Sequence, residues 1–508
     1  MSRKKKLILN TYTAVVNQII TLICGFVLPR MIIAHYGSAT NGLISSITQF
    51  LAFFSMMEMG VGAVVRASLY KPLAEHDEDT ISRVMISARR FFQKIGLLLC
   101  VYTAGLMVYF PLAVDHRNGY FATAILVGAC AFNALSNYFF GIVYQQLLSA
   151  DQRSFVQLSI SALTTLLNTV FGILLIKLNA TIETVKLSAA VVVLIKPIFL
   201  KLYVDRHYKL NFDLELTEEP LKQKWNGLAQ HIAQYVLKHA DTVVLTVFST
   251  LENVSIYYVY HLVLNGLEQM IGVLLTGTSS LLGNMFARRA EEEEKLQTTF
   301  SAFEWATHSF VTVLYTIAGI MILPFVSVYI SDVSDTNYIV PSFAAVIVLG
   351  TGLYSIRLPY NAMILVAGHF KQTQRSYFIQ ASMNVIISIA LVKPLGLLGV
   401  AIGTLAAMGY QTIYEAWYLR NQIMYRSFRI FVKHILLDSL IVILSVLLTW
   451  RITFGEPTWL SWIVMALKVS FVTAAVATFV NFTFNRDLIR HSIPLLLKRN
   501  GKGKDNGY

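Results

Sequence analysis

The feature that most constrains this chain is the recurrence of apolar stretches long enough to cross a lipid bilayer. About 20 apolar residues span a bilayer as one α-helix, and such stretches recur throughout the 508 residues. They lie near residues 8–29, 42–69, 92–112, 121–148, 155–176, 182–204, 227–248, 254–286, 301–323, 340–367, 376–392, 395–418, 431–450 and 459–484. Only 14% of the residues are charged, which excludes a soluble enzyme of this size. We predict an all-α polytopic membrane protein with about 14 transmembrane helices.

The distribution of basic residues predicts the orientation of these spans. Most of the 41 Lys and Arg residues fall in alternate connections, on the same side as Arg3 and Lys504. Cytosolic loops of membrane proteins carry an excess of Lys and Arg. With an even number of spans, both termini are therefore predicted to be cytosolic.

The short connections argue against chemistry outside the membrane. No loop could hold a nucleotide-binding domain, and no Gly-x-x-x-x-Gly-Lys-Ser/Thr sequence occurs. Asp77 and Asp79 fit an Asp-x-Asp metal pattern, but acids are also favoured at the start of a helix. The cysteines Cys24, Cys100 and Cys130 lie in apolar runs without metal-ligand spacing. We expect no enzymatic activity, catalytic residue, metal or cofactor, and no nucleic-acid partner.

Weak internal similarity predicts two parallel halves. The segment Glu58-Met-Gly-Val-Gly62 matches Glu268-Gln-Met-Ile-Gly272, about 210 residues later, and Asn168 has a counterpart at Asn384. Many transporters place their binding site between two such repeats. We predict two pseudo-symmetric six-helix bundles, with Pro29 and several glycines as bending points. The predicted parts are an N-terminal bundle 1–204, a cytosolic linker 205–226, a C-terminal bundle 227–420, and a segment 421–508 with two extra helices and a basic cytosolic tail.

Ionisable residues inside the spans are the candidate functional residues. Each costs about 2.5 to 3.5 kcal/mol at a span centre, so we expect them to face a partner or a cavity. They are Glu58, Lys196, Lys238, Asp241, Glu268 and Arg357. Arg30 and Arg66 near the span ends would make such a cavity positive, which suits a phosphate or pyrophosphate. Two alternatives stay open: Lys238 and Asp241 neutralise each other, and Arg66 extends to the membrane surface.

The N-terminal region carries motifs that resemble a known family. They are Leu28-Pro-Arg30, Tyr36-Gly37, Asn41-Gly-Leu43, Gln49-Phe-Leu51, Glu58-Met-Gly-Val-Gly62 and Leu69-Tyr-Lys-Pro-Leu-Ala74, with a second patch from Ser255 to Gly266. These segments resemble polysaccharide-biosynthesis flippases, the lipid-linked oligosaccharide branch of the multidrug/oligosaccharidyl-lipid/polysaccharide exporter superfamily.

The resemblance implies a function and a location. It implies that an undecaprenyl-pyrophosphate-linked oligosaccharide repeat unit, for capsule or another surface polysaccharide, is moved from the inner to the outer leaflet by alternating access. The protein would act in the bacterial plasma membrane as a monomer, with the lipid bilayer and the polysaccharide polymerase machinery as partners.

The resemblance also implies roles for single residues. Arginines in the first two spans and the second bundle of the family correspond to Arg30, Arg66 and Arg357. A related peptidoglycan-precursor flippase has a sodium site, for which Asp241, Asn384 and Thr404 are the candidates here. Their oxygens suit a hard cation.

Two other functions compete with this interpretation. A multidrug or organic-cation exporter of the same superfamily would need an acid-dominated cavity. A membrane glycosyltransferase or polymerase would need an extended catalytic loop, which the sequence lacks.

Overall fold

The computed structural model describes residues 3–115, 117, 119–214 and 228–486. Within these ranges the chain forms helices and short connections, without a β-strand. The basic tail predicted at the C-terminus lies largely outside the described residues, as does the second half of the predicted linker 205–226.

Eighteen α-helices follow one another along the described chain. They are α1 Arg3–Tyr36, α2 Ser38–Ala52, α3 Ser55–Glu75, α4 Glu78–Tyr109, α5 Tyr120–Ser136, α6 Ile142–Ala150, α7 Ser154–Lys177, α8 Ile182–Val193, α9 Ile195–His207, α10 Leu228–Phe248, α11 Leu251–Ala287, α12 Arg289–Tyr329, α13 Pro341–Ile356, α14 Leu358–Val366, α15 Phe370–Leu395, α16 Leu397–Gln422, α17 Arg429–Thr449 and α18 Trp459–Phe484.

The helices agree with the predicted spans. Among the described residues, eleven helical segments are long and apolar enough to cross a membrane. The other three predicted spans are helical as well, as α2 with α3, α10 and α11. Large apolar side chains such as Val101, Phe121 and Phe471 are more than two-thirds exposed, as expected for surfaces that face lipid. The predicted all-helical, multi-pass membrane fold is confirmed.

Four spans are interrupted, and these interruptions position the candidate site. α2 and α3 are separated at Phe53 and Phe54, and a π-helical turn, Asn137–Gly141, separates α5 from α6. The other two breaks, at Leu194 and Arg357, each come two or three residues before a proline, which removes a backbone donor and clashes with the preceding turn. The prolines are Pro197 and Pro359.

Pro29, which the sequence suggested as a bending point, does not interrupt its helix. α1 continues on both sides of it, from Arg3 to Tyr36.

Contacts divide the described chain into two compact units. The first contains the described residues within 1–258 and 333–336, and the second contains those within 259–332 and 337–508. Each has its own buried apolar core, around residues such as Phe92 and Leu147 in the first unit and Phe300 and Met363 in the second. The domain boundaries predicted from the sequence stay a prediction.

In the second unit, α15 and α16 pack closely against each other. Gly396, at φ +56°, occupies a backbone conformation that glycine tolerates and reverses the chain between them. Gly399 and Gly403 then let the two backbones meet: a Cβ at Gly399 would lie 2.2 Å from the Leu391 carbonyl oxygen, and one at Gly403 would lie 2.3 Å from Ser388 Oγ. Small residues four apart are a common way to pack membrane helices closely.

Candidate functional site

A polar cavity lies inside the first unit. Its volume is about 300 Å³, and its lining includes Glu58 from α3 and Lys196 from α9. Each of the two is an electrostatic neighbour of the other. The sequence predicted both as cavity residues from their charge alone, and the fold brings them into one cavity from spans about 140 residues apart.

The π-helical turn contributes amide groups to this cavity. Asn137 Nδ2 lies 3.5 Å from Glu58 Oε2, and Gln145 Nε2 donates to Asn137 Oδ1 at 2.5 Å. Asn133 and Ser136 also line the cavity. π-helical turns in α-helices occur frequently at functional sites. The cavity therefore combines one charge of each sign with several groups that can both donate and accept hydrogen bonds.

Arg66 belongs to the same part of the first unit. Its Nη1 donates to Gln146 Oε1 of α6, and it is an electrostatic neighbour of Glu58. Arg66 is half-buried. Its guanidinium therefore makes a hydrogen bond within the protein, whichever way its aliphatic part extends.

The second unit holds Arg357 at the break between α13 and α14. Arg357 is only 5% exposed, and its guanidinium lies over the Tyr354 ring, 4.9 Å from the ring centroid. Its Nε is 3.8 Å from Glu415 Oε1, a distance too long for a hydrogen bond. Among the described residues, Arg357 Nε and Nη1 have no hydrogen-bond partner.

Glu415 of α16 is the functional candidate that the sequence interpretation missed. It is fully buried, and its Oε1 accepts hydrogen bonds from Tyr377 at 2.9 Å and Gln411 at 3.0 Å. It lies near the end of its predicted span, where a charge is ordinarily close to the membrane surface. A carboxylate inside the apolar run 395–418 was the available signal.

The remaining predicted cavity residues are more scattered. Arg30 is half-buried on α1, and Lys238 is exposed on α10 of the first unit. Glu268 is half-buried on α11 of the second unit, where it is an electrostatic neighbour of Tyr315. The structure therefore places Glu58, Arg66 and Lys196 near one another, whereas Arg357 belongs to the second unit.

The three predicted cation ligands divide between the units. Asn384 Nδ2 donates to Thr404 Oγ1 at 3.1 Å, and both are buried at the close contact of α15 with α16. Asp241 belongs to the first unit, where its carboxylate is buried and accepts a hydrogen bond from Tyr257 at 3.0 Å. The predicted cation site stays a prediction.

Asp77, the first residue of the Asp-x-Asp pattern, caps α4. Its Oδ1 accepts a hydrogen bond from the Thr80 backbone N–H at 3.0 Å, the usual role of aspartate before the first turn of a helix. Hydrogen bonds from Thr80 lower the pKa of Asp77 below its usual 3.8. Among the described residues, no group of three or more His, Cys, Asp and Glu is arranged to hold a metal ion.

Comparison with known proteins identifies the fold. No protein-family profile and no curated protein sequence matches this chain. Lipid II flippase MurJ, in an inward closed conformation, matches with a TM-score of 0.69 and 14% sequence identity, over 95% of this chain and 100% of that chain. An inward-facing multidrug resistance MATE transporter of the MOP superfamily matches with a TM-score of 0.58 and 15% identity, over 80% of this chain and 98% of that chain.

A third solved structure also matches this chain. It is a MOP superfamily transporter from Pyrococcus furiosus, described as having a binding pocket of reverse polarity. It matches with a TM-score of 0.54 and 14% identity, over 84% of this chain and 98% of that chain. At these identities the similarity establishes the fold. The chain has the fold of MOP superfamily transporters, and the resemblance noted in its sequence is confirmed at the level of the fold.

Proposed function

We propose that this protein is a flippase for an undecaprenyl-pyrophosphate-linked oligosaccharide, which it moves from the inner to the outer leaflet by alternating access. The oligosaccharide would be the repeat unit of a capsule or another surface polysaccharide. The protein would lie in the bacterial plasma membrane with both termini in the cytosol, and would supply the polymerase machinery with substrate.

The observation that carries this proposal is that Arg357 is buried with two of its donors unsatisfied among the described residues. A guanidinium buried inside a membrane protein is costly, and donors left without acceptors add to that cost. Glu415 balances its charge at 3.8 Å but leaves Nε and Nη1 unsatisfied within the described chain. A pyrophosphate oxygen would satisfy both the charge and the directed donors, because arginine binds phosphate through parallel N–H···O bonds.

The cavity of the first unit offers polar groups of the kind that bind carbohydrate. Asn133, Ser136 and Asn137 offer neutral donors and acceptors, which match the hydroxyl groups of a carbohydrate. Lys196 adds a positive charge for a sugar or phosphate that carries a negative one, and Asn137 Nδ2 lies 3.5 Å from Glu58 Oε2. Arg30, Arg66, Lys238 and Glu268 remain proposed members of the substrate pathway.

The fold comparisons support this choice of substrate class. The solved structure with a TM-score of 0.69 is a lipid II flippase, and it spans its own full length on this chain. A MOP transporter with a similar fold is described as having a binding pocket of reverse polarity. A positively biased substrate site is therefore compatible with the fold.

Deletion of the gene tests the function directly. We expect an inner-leaflet glycolipid to accumulate and surface polysaccharide to be lost, with both effects reversed by the wild-type protein. Extraction and mass analysis of lipid-linked intermediates would name the sugars. If the deletion strain lacks any such intermediate and instead becomes sensitive to organic cations, the multidrug exporter would replace this proposal.

Arg357→Gln tests the proposed contact. We expect export in the complementation assay to fall at least tenfold, since losing one charge-assisted pair costs about 1.5 to 3 kcal/mol. Arg357→Lys should retain part of the activity, because it keeps the charge but not the paired donors. Arg451→Gln, at an exposed position in a loop, is the matched control and should export normally.

A charge swap separates binding from folding. The double variant Arg357→Glu with Glu415→Arg restores a buried pair of opposite charges. We expect it to reach the membrane in normal amounts but to remain inactive, because the cation no longer lies at the break in the span. Wild-type export by the swapped protein would show that Arg357 acts only as a structural partner of Glu415.

A further inference from the structure

A second buried polar cluster lies in the second unit, outside the proposed substrate site. It consists of Glu304 and His308 of α12, Tyr360 of α14 and Asp438 of α17, and we call it the histidine cluster. Glu304 and Tyr360 are fully buried, and the other two are at most 8% exposed. Since polar groups of this kind are expensive inside a membrane, their assembly from three spans calls for an explanation.

The four side chains form one continuous chain of hydrogen bonds. His308 Nδ1 lies 2.6 Å from Asp438 Oδ2, and His308 Nε2 lies 2.9 Å from Tyr360 Oη. Tyr360 Oη in turn lies 2.7 Å from Glu304 Oε1. All three distances are those of good hydrogen bonds.

The three hydrogen bonds need one proton more than the four side chains supply in their usual protonation states. Three hydrogen bonds need three protons. A neutral imidazole brings one, a phenol brings one, and two ionised carboxylates bring none. Whichever direction the donors take, the third bond needs an additional proton, held by His308 or by one of the two carboxyl groups, Asp438 and Glu304.

The charges around the histidine cluster also indicate one additional bound proton. Arg426, from the connection before α17, forms an ion pair with Glu304 and lies 4.8 Å from the Phe300 ring centroid. Arg426 therefore balances Glu304, whereas Asp438 pairs with His308 and, among the described residues, with no Lys or Arg. One bound proton makes the buried group neutral, which avoids the cost of an unpaired buried charge.

The other side chains described here around α12 are one titratable group, His434, and neutral groups. α17 adds His434, whose ring stacks on His308 at 5.0 Å and whose Nε2 lies 3.9 Å from Glu304 Oε2. α18 contributes the neutral Asn481, which accepts from Trp305 at 2.6 Å. α13 contributes Ser355, which donates to Tyr315 at 3.0 Å.

The histidine cluster is linked to the proposed substrate contact through the span formed by α13 and α14. The Tyr360 backbone N–H donates to the Arg357 carbonyl oxygen at 3.0 Å. Both residues therefore belong to one turn at the break between α13 and α14. A rearrangement of the backbone at this break would move Tyr360, whose hydroxyl takes part in two of the three hydrogen bonds.

We propose that the histidine cluster is a proton-binding site, and that its proton is the ion coupled to transport. The site is filled while α17 and α14 pack on α12. It releases its proton when the span formed by α13 and α14 rearranges at Arg357. The coupling to transport rests on the proposed function, whereas proton binding does not.

Spectroscopy of the full-length protein in liposomes tests proton binding. With ¹⁵N-labelled histidine, solid-state NMR reports whether both ring nitrogens carry a proton, and infrared difference spectra report a protonated carboxyl group. At pH 8 an ordinary histidine, with a pKa of about 6.5, is neutral. We expect one doubly protonated histidine or one protonated carboxyl group at that pH.

Variants assign that proton to the histidine cluster. The signal should disappear in His308→Gln and in Asp438→Asn. His369→Gln is the matched control, because His369 also contacts a tyrosine hydroxyl, Tyr418 at 3.0 Å, but lies outside the cluster. A wild-type protein without either signal at pH 8 would overturn the proposal even if the variants fail to fold. A signal that survives both variants would overturn it as well.

Proton release on ligand binding tests the coupling. Undecaprenyl pyrophosphate is added to the purified protein in weak buffer with a pH-sensitive dye. We expect release of protons from the wild type and no release from Asp438→Asn. Binding without release would refute the coupling. Absence of binding would refute the flippase proposal, while the spectroscopic result would still decide whether the site binds a proton.

Discussion

Glu304 illustrates how much a single buried carboxylate can contribute to the stability of this fold. It is fully buried, pairs with Arg426 and accepts a hydrogen bond from Tyr360. We predict that Glu304→Gln lowers stability by about 3 to 5 kcal/mol, because Arg426 is left as an uncompensated buried charge. Thermal unfolding of the purified protein in detergent measures this change.

The double variant Glu304→Gln with Arg426→Gln checks the mechanism. Removing both charges should recover part of the lost stability, since the two residues are in direct contact and their effects are not additive. If the stability losses of the two single variants simply add in the double variant, the ion pair is not the source of the effect.

At the scale of residues, the sequence identified charges but not their partners. Glu58, Lys196 and Arg357 stand out because each interrupts an apolar run. Glu304 and Glu415 lie close to the ends of their predicted spans, where charge is usual, and only the fold shows that they are buried. The contacts among them join positions 50 to 140 apart in sequence, which periodicity and composition do not specify.

The role of Asp77 as a helix cap could be predicted from local sequence preferences alone. Its position before α4 follows from the preference for acids at helix starts, and the structure shows the capping hydrogen bond. Because the pKa of Asp77 in the folded protein lies below 3.8, its contribution to stability is present above that pH. The contribution is lost as the pH falls through the lower, folded value.

At the scale of elements, the contact of α15 with α16 gives a test of close packing. A Cβ at Gly399 would lie 2.2 Å from the Leu391 carbonyl oxygen, a backbone atom that cannot move aside alone. We predict that Gly399→Ala lowers stability by about 1 to 3 kcal/mol through overpacking. Gly409→Ala on the same helix is the control, because its nearest contact would be 3.9 Å away.

Thermal unfolding of both variants measures the difference. Gly409→Ala should be neutral or slightly stabilising, as expected when glycine is replaced in a helix. If Gly399→Ala is as stable as the control, the two helices are not held at the distance described.

The elements also show why the spans were predictable and their breaks were not. Apolar length alone locates all the predicted spans, because every backbone group must be satisfied within a helix in lipid. The breaks at Leu194 and Arg357 have a sequence signal in the prolines that follow, Pro197 and Pro359. The break at Phe53 and Phe54 has no proline or glycine nearby before Gly60, and Pro29 carries the same signal without a break.

At the scale of the whole molecule, the membrane potential offers a source of energy for the proposed transport. A pyrophosphate with about two negative charges gains roughly 4 to 5 kcal/mol per 100 mV on leaving a cell that is negative inside. We predict that collapsing the potential, at constant pH and sodium gradients, slows export of the glycolipid. Export into inverted membrane vesicles with an imposed potassium potential measures this, and a rate independent of the potential would exclude the mechanism.

The fold of the whole chain was within reach of the sequence, whereas its chemistry was only partly so. The all-helical membrane architecture and the similarity to MOP superfamily transporters agree with the prediction. Charge inside spans indicated where to look for a site. The histidine cluster was missed although Asp438 lies well inside the apolar run 431–450 and was an available signal, whereas Glu304 lies near the start of its span. Only the fold shows that these residues assemble from three spans.

The close contact of α15 with α16 limits how a lipid-linked substrate could pass through the protein. The isoprenoid tail of such a substrate stays in the bilayer while its sugar crosses, so the wall of the transporter must part sideways along some pair of helices. Backbones that meet at Gly399 and Gly403 leave no width for a hydrocarbon chain. If α15 and α16 stay in contact throughout transport, the tail passes along a different pair of helices, and cross-linking α15 to α16 leaves transport intact.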